Sequence, residues 1–97
     1  MILEFSGELI YWRGPAPWHF VTVPEPESAE LQEVSGTASY GWGCIPVQAR
    51  LGVTGWATAL IPRAGLYVVP IKAAIRKAEG LRLGDQLTVR LEVDDGD

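Results

Sequence analysis

The sequence has one cysteine and one histidine in 97 residues. A single cysteine excludes an intrachain disulfide, and a lone thiol fits a reducing cytoplasm. One histidine and one cysteine cannot supply the three or four ligands of a zinc site, so no metal is expected. The acidic end, Asp94-Asp95-Gly96-Asp97, reads as a solvated tail rather than a cation site. No apolar run approaches the ~20 residues that cross a bilayer. The start, Met1-Ile2-Leu3-Glu4, lacks the basic stretch and apolar core of an export signal. No membrane partner is therefore expected, and a cytoplasmic location is. Glycine-rich phosphate loops are missing too: Gly41-Trp42-Gly43 is too short and leads into a strand pattern, not a helix. No cofactor is read.

A basic excess is also lacking. The net charge is −4, and it is unevenly spread. Residues 1–40 carry Arg13 against Glu4, Glu8, Glu25, Glu27, Glu30 and Glu33, whereas residues 41–97 carry seven basic and six acidic side chains. Nucleic-acid binding draws on neutralised phosphates, so specific nucleic-acid binding is not expected.

What is present is a period-2 pattern over most of the chain. Leu87, Val89, Leu91 and Val93 alternate with Thr88, Arg90 and Glu92. Ile45, Val47, Ala49, Leu51 and Val53 alternate with Pro46, Gln48, Arg50 and Gly52. The first strand sets Leu3, Phe5, Leu9 and Tyr11 against Glu4, Ser6 and Glu8, with Gly7 reading as a bulge. Further strands are expected at Trp18–Val23, Trp56–Ile61 and Leu66–Val69. Gly14-Pro15-Ala16-Pro17, Val53-Thr54-Gly55 and Arg63-Ala64-Gly65 read as turns between them. Two short helices are predicted, over about 26–35 with Gly36 as its cap and about 72–79 with Gly80 as its cap. Gly84-Asp85 reads as a structural turn, with Leu81 and Leu83 packing inward before it.

A weak internal repeat runs through these pieces. Phe20-Val21-Thr22-Val23-Pro24 matches Leu66-Tyr67-Val68-Val69-Pro70 at an offset of 46, and the helices match at 44. Two half-barrels in one chain would close a sheet on itself and remove its edges. The expectation is one domain over residues 1–94 with an acidic tail at 95–97. Its fold class is mostly β: a small closed or nearly closed double-split barrel of six to seven strands with two short helices. It should fold as a monomer, or associate as a weak homodimer.

The stretch Tyr67-Val68-Val69-Pro70-Ile71-Lys72, with Ile75-Arg76-Lys77, Leu81, Leu83-Gly84-Asp85 and an alternating strand, resembles the AbrB/MazE-type swapped-hairpin element. A wider set resembles DUF1905, a family known only as a domain of unknown function. That set is Trp18-His19-Phe20-Val21-Thr22-Val23-Pro24, Gly41-Trp42-Gly43, Ile45-Pro46-Val47, Trp56-Ala57-Thr58, Pro62, Tyr67, Pro70-Ile71-Lys72 and Gly84-Asp85. The resemblance implies a double-split β-barrel and carries no activity and no catalytic residues. Tyr40 and Ala59 depart from it, standing where arginine and serine are common.

Few groups could carry chemistry. Cys44 and His19 are one nucleophile–base pair, which nothing in the sequence brings together; a small thiol and a strand histidine are the simpler reading. Lys72 and Arg76, four apart on one helix face, could hold an anion or form a solvated basic face. The four tryptophans either plug a small barrel or, around the glycine and proline loops, form a binding surface, with Trp42 the most exposed. The candidate ligand-binding set is Trp18, Trp42, Lys72 and Arg76, facing an unknown small molecule or protein; no catalytic residue is read. A non-catalytic binding module is the first reading. A swapped-hairpin DNA-binding regulator and an enzyme of unknown type are the alternatives.

Overall fold

The computed structural model describes residues 1–15, 17–38 and 43–93. It contains six strands and two helices: β1 (Ile2–Trp12), β2 (Trp18–Val23), α1 (Glu25–Ala38), β3 (Ile45–Leu51), β4 (Thr54–Arg63), β5 (Leu66–Pro70), α2 (Ala73–Glu79) and β6 (Gln86–Val93). The strands form a closed barrel in the order β1-β2-β5-β4-β3-β6, every pairing antiparallel. Closure follows from two long strands that change partner. β1 pairs β6 through residues 2–8 and β2 through residues 9–12. β4 pairs β3 through residues 54–60 and β5 through residues 61–63.

These two changes of partner are related by the sequence repeat. A shift of 53 residues for β1 and 46 for β2 carries Leu9↔Val21 onto Pro62↔Tyr67. The same shift of β1, with 42 for β3, carries Leu3↔Leu91 onto Trp56↔Ala49. The chain is thus two β-β-α-β halves around a pseudo-twofold axis, which crosses the wall between β2 and β5 and between β3 and β6. That axis exchanges the ends of the barrel. One helix from each half contributes to the interior: Leu31 of α1 and Ile75 of α2 join the cluster of Leu3, Phe5, Leu9, Val47, Leu60, Val89 and Leu91. Burying such aliphatic side chains stabilises by about 1.5–3 kcal/mol each before entropy is charged.

Local chemistry explains several departures from the sequence reading. Gly7 is not a bulge: it lies in the regular ladder, opposite Leu87. Its need is steric, because a Cβ there would stand 2.7 Å from Val21 Cγ1 and 3.1 Å from the Thr22 carbonyl oxygen. The β3–β4 turn falls on Gly52-Val53, one residue early, and Thr54 and Gly55 already pair in the strand. α1 runs through Gly36 to Ala38, so Gly36 is not its cap; a glycine costs a helix about 1 kcal/mol and does not by itself end one. Gly80 does end α2, in the left-handed conformation, with Leu81 N–H donating to the Arg76 carbonyl at 2.9 Å. Leu83 is exposed rather than inward, because the tight turn beneath it turns its side chain to solvent; only Leu81 packs on the core. Tyr11 lies beyond the partner change, its ring tilted against His19 at 4.7 Å and 37% exposed.

The Arg82–Asp85 turn ties into the barrel seam. Arg82 N–H donates to Asp85 Oδ2 at 2.8 Å, Gly84 N–H to the Leu9 carbonyl at 3.1 Å, and Leu9 N–H to the Asp85 carbonyl at 2.9 Å. Gly84 has φ +87 and open space around it, so a side chain there meets backbone strain and no clash. Gly84→Val is expected to lower stability by about 1–3 kcal/mol, with Asp85→Asn milder because the amide oxygen still accepts the Arg82 bond. Gly7→Ala is expected to cost about 1–3 kcal/mol through overpacking against Val21. Chemical denaturation of the three variants measures both effects.

Candidate functional site

The structure brings Trp18, Lys72 and Arg76 to one cleft of about 270 Å³, lined by Pro17, Trp18, His19, Pro70, Ile71, Lys72, Ala73 and Arg76. Trp42 lies outside the described residues, as do Tyr40 and the Asp94–Asp97 tail. The cleft forms where the β2–β5 ladder gives way to α2. Phe20 pairs with Pro70, and Ile71 N–H then donates to the His19 carbonyl at 3.0 Å, extending the ladder by one step. Ile71 itself is buried. Its carbonyl accepts a 2.6 Å bond from Arg76 Nη1. One residue therefore orients both sides of the cleft, with Trp18 and His19 on the strand side and Lys72 and Arg76 on the helix side. Arg76 uses one donor in that bond and keeps four of its five N–H groups for another partner. Lys72 stands exposed at the N-cap of α2 without a side-chain capping bond. Among the described residues no carboxylate lines the cleft.

The other wall is aromatic. The Trp18 ring tilts against Phe20 at 4.8 Å and meets Trp12 edge-on at 6.5 Å. The Arg63 guanidinium of β4 lies 5.0 Å from the Phe20 centroid and 5.5 Å from the Trp12 centroid. This holds the row of rings from the far side by cation–π attraction. Of the three described tryptophans, Trp12 is exposed and Trp18 and Trp56 are half-buried, so none simply fills the core. Trp56 packs against the interior cluster with its indole N–H buried and unpartnered.

The two halves differ at this cleft. By the helix offset, Lys72 corresponds to Ser28 and Arg76 to Gln32. Ser28 is buried, donates to the Val23 carbonyl at 2.9 Å and accepts from Tyr67 N–H at 3.2 Å. The Gln32 amide oxygen accepts from the Tyr67 hydroxyl at 3.4 Å. The first half spends both positions on internal hydrogen bonds to Tyr67 or the Val23 carbonyl, whereas the second places cations there, Lys72 exposed and Arg76 bonded through one N–H to the Ile71 carbonyl.

His19 and Cys44 are not brought together. His19 sits on β2, Cys44 immediately precedes β3, and β5 and β4 lie between those strands. Among the described residues no group of three or more His, Cys, Asp or Glu is placed to hold a metal ion. No helix of the described residues is long and apolar enough to cross a membrane. The sequence reading missed the contributions of Ile71, Pro17 and Arg63. Ile71 looked like a core position, and Arg63 reaches the aromatic row only through the β4–β5 pairing.

Burial lowers the pKa of His19 from 6.5, and the charge of Arg76 lowers it further. The folded state therefore binds its proton less readily than the unfolded state. Stability contributed by neutral His19 is fully present above pH 6.5 and is lost as the pH falls from there through the lowered value. His19→Gln is expected to flatten this part of the stability–pH curve, and Arg76→Gln to flatten it partly. Urea midpoints between pH 5 and 8 compare the variants with the parent.

No curated protein matches the chain. The model of one family, described as a domain of unknown function (DUF1905), matches residues 5–91. That span runs from Phe5 on β1 to Leu91 on β6 and takes in both halves of the barrel and every residue of the cleft, so the chain belongs to the DUF1905 family.

Proposed function

We propose that this protein is a non-catalytic binding module that takes a small organic anion, preferably one with a flat ring, in the cleft between β2 and α2. One observation carries the reading: two cations and an aromatic–proline surface line the same cleft, and among the described residues no carboxylate does. An unpaired cation pair is usually neutralised by a neighbouring acid. Here the nearest internal use of either group is the bond from Arg76 to a carbonyl, which fixes its direction without cancelling its charge. The His19 imidazole, whose pKa is lowered by burial and by Arg76, brings two ring nitrogens that can hydrogen-bond a ligand. Trp18 and Pro17 offer a face for stacking, and Lys72 and Arg76 offer charge-assisted bonds.

The test is calorimetric titration with ring-bearing carboxylates and phosphates, each beside its neutral amide or alcohol. Anions are expected to bind and their neutral analogues not. Lys72→Ala and Arg76→Gln are each expected to weaken binding about tenfold or more, the size of one charge-assisted bond. Arg76→Lys, which keeps the charge, should lose less. Equal binding of neutral analogues, or unchanged anion binding by a folded Lys72→Ala/Arg76→Gln variant, would refute the proposal.

A further inference from the structure

The barrel wall opposite the β2–β5 ladder carries a second constellation. On the outer face, where β3 and β6 pair across the pseudo-twofold axis, Arg50 stands directly opposite Arg90. Directly opposed side chains have Cβ atoms about 4.5–5.5 Å apart, and like charges so placed destabilise the pair. Both residues are exposed. No hydrogen bond, ion pair or ring contact among the described residues engages either guanidinium. This sets them apart from Arg63 and Arg76, each of which has an internal partner. Two carboxylates are close in register: Glu4 lies opposite Arg90 on β1, and Glu92 lies diagonal to Arg50. Neither closes an ion pair. The two arginines line a cleft of about 510 Å³ with Gln48, Ala49, Gly55, Trp56 and Glu92.

We infer that this face is a second binding site, in which Arg50 and Arg90 clamp the phosphate dianion of a small hydroxylated phosphomonoester. A guanidinium is a planar fork that binds phosphate oxygens in pairs, and a dianion offers oxygens to both forks at once. Bringing a charge of −2 between the two cations turns their repulsion into attraction. The cleft is larger than a phosphate group, so there is room for an organic portion. The groups beside the arginines, the Gln48 amide and the Glu92 carboxylate, suit hydroxyls rather than apolar surface. Neither half of the chain carries this pair alone. The offset between β3 and β6 places Gln48 on Arg90 and Arg50 on Glu92, so each half supplies one arginine from a non-equivalent position, and the two meet only across the axis. The site is separate from the β2–α2 cleft and does not depend on the function proposed for it.

The experiment is calorimetric titration with inorganic phosphate, glycerol 3-phosphate and glycerol, against chloride of matched ionic strength, with melting curves in parallel. The two phosphates are expected to bind and to raise the melting temperature beyond the chloride control, and glycerol is not. Arg50→Gln and Arg90→Gln are each expected to weaken phosphate binding about tenfold or more while melting no lower than the parent in phosphate-free buffer, since each removes a repulsion from an exposed site. The Lys72→Ala/Arg76→Gln variant, which disables the β2–α2 cleft, should keep a phosphate response that adding Arg50→Gln to it removes. A parent protein that responds to phosphate no more than to chloride overturns the inference. So does a response that, in the Lys72→Ala/Arg76→Gln background, survives Arg50→Gln, or one already lost in that background, which would place the anion in the other cleft.

Discussion

Strand β1 hydrogen-bonds to β6 through residue 8 and to β2 from residue 9, and that change of partner holds the rest of the molecule in place. A strand can serve two neighbours in succession only if the second approaches closely at the crossing. Gly7 permits this, since any Cβ there would collide with Val21. The Arg82–Asp85 turn then supplies the hydrogen bonds that Leu9 needs between its two partners. Unpaired strand edges invite association with other chains, and closing the sheet removes them. β4 performs the same change at Leu60–Ile61. With both seams closed, the alternating apolar residues of all six strands face one interior, and Leu31 and Ile75 complete it.

The pseudo-twofold axis separates what the fold requires from what one half has added. Positions alike in both halves, such as Pro24 and Pro70 at the ends of β2 and β5 and the buried Leu31 and Ile75 of the two helices, serve closure and packing. Positions that differ are the ones available for function. Ser28 and Gln32 stitch α1 to β5, whereas the corresponding Lys72 and Arg76 project into the cleft beside Trp18. Internal hydrogen bonds to Ser28 make that end of the barrel self-sufficient. The opposite end keeps its cations facing outward, with the Ile71 backbone serving as their frame.

Six strands, two helices and most of their positions are legible in the sequence because half-buried strands impose a strict alternation, as in Leu87 to Val93, and burial follows it. The repeat is legible for the same reason, since matching strands carry matching patterns. Element ends are less so: Gly36 looks like a helix cap because glycine favours the left-handed conformation, but nothing obliges a helix to stop there. Gly7 looks like a bulge because local sequence does not contain the approach of Val21 from a distant strand.

The same division applies to the sites. Residue chemistry and local spacing determine that Lys72 and Arg76 share a helix face, that Trp18 starts a strand after a proline loop, and that no metal-ligand spacing is present. Those are short-range facts, set by side-chain type and by the 3.6-residue and 2-residue periods. Tertiary structure alone decides that Trp18 and His19 face Lys72 and Arg76 across Ile71. It alone places Arg63 over Phe20, and Arg50 opposite Arg90. Each of those meetings depends on strand register between segments about 40–55 residues apart, and register is set by closing the whole barrel, a condition no local stretch of sequence contains.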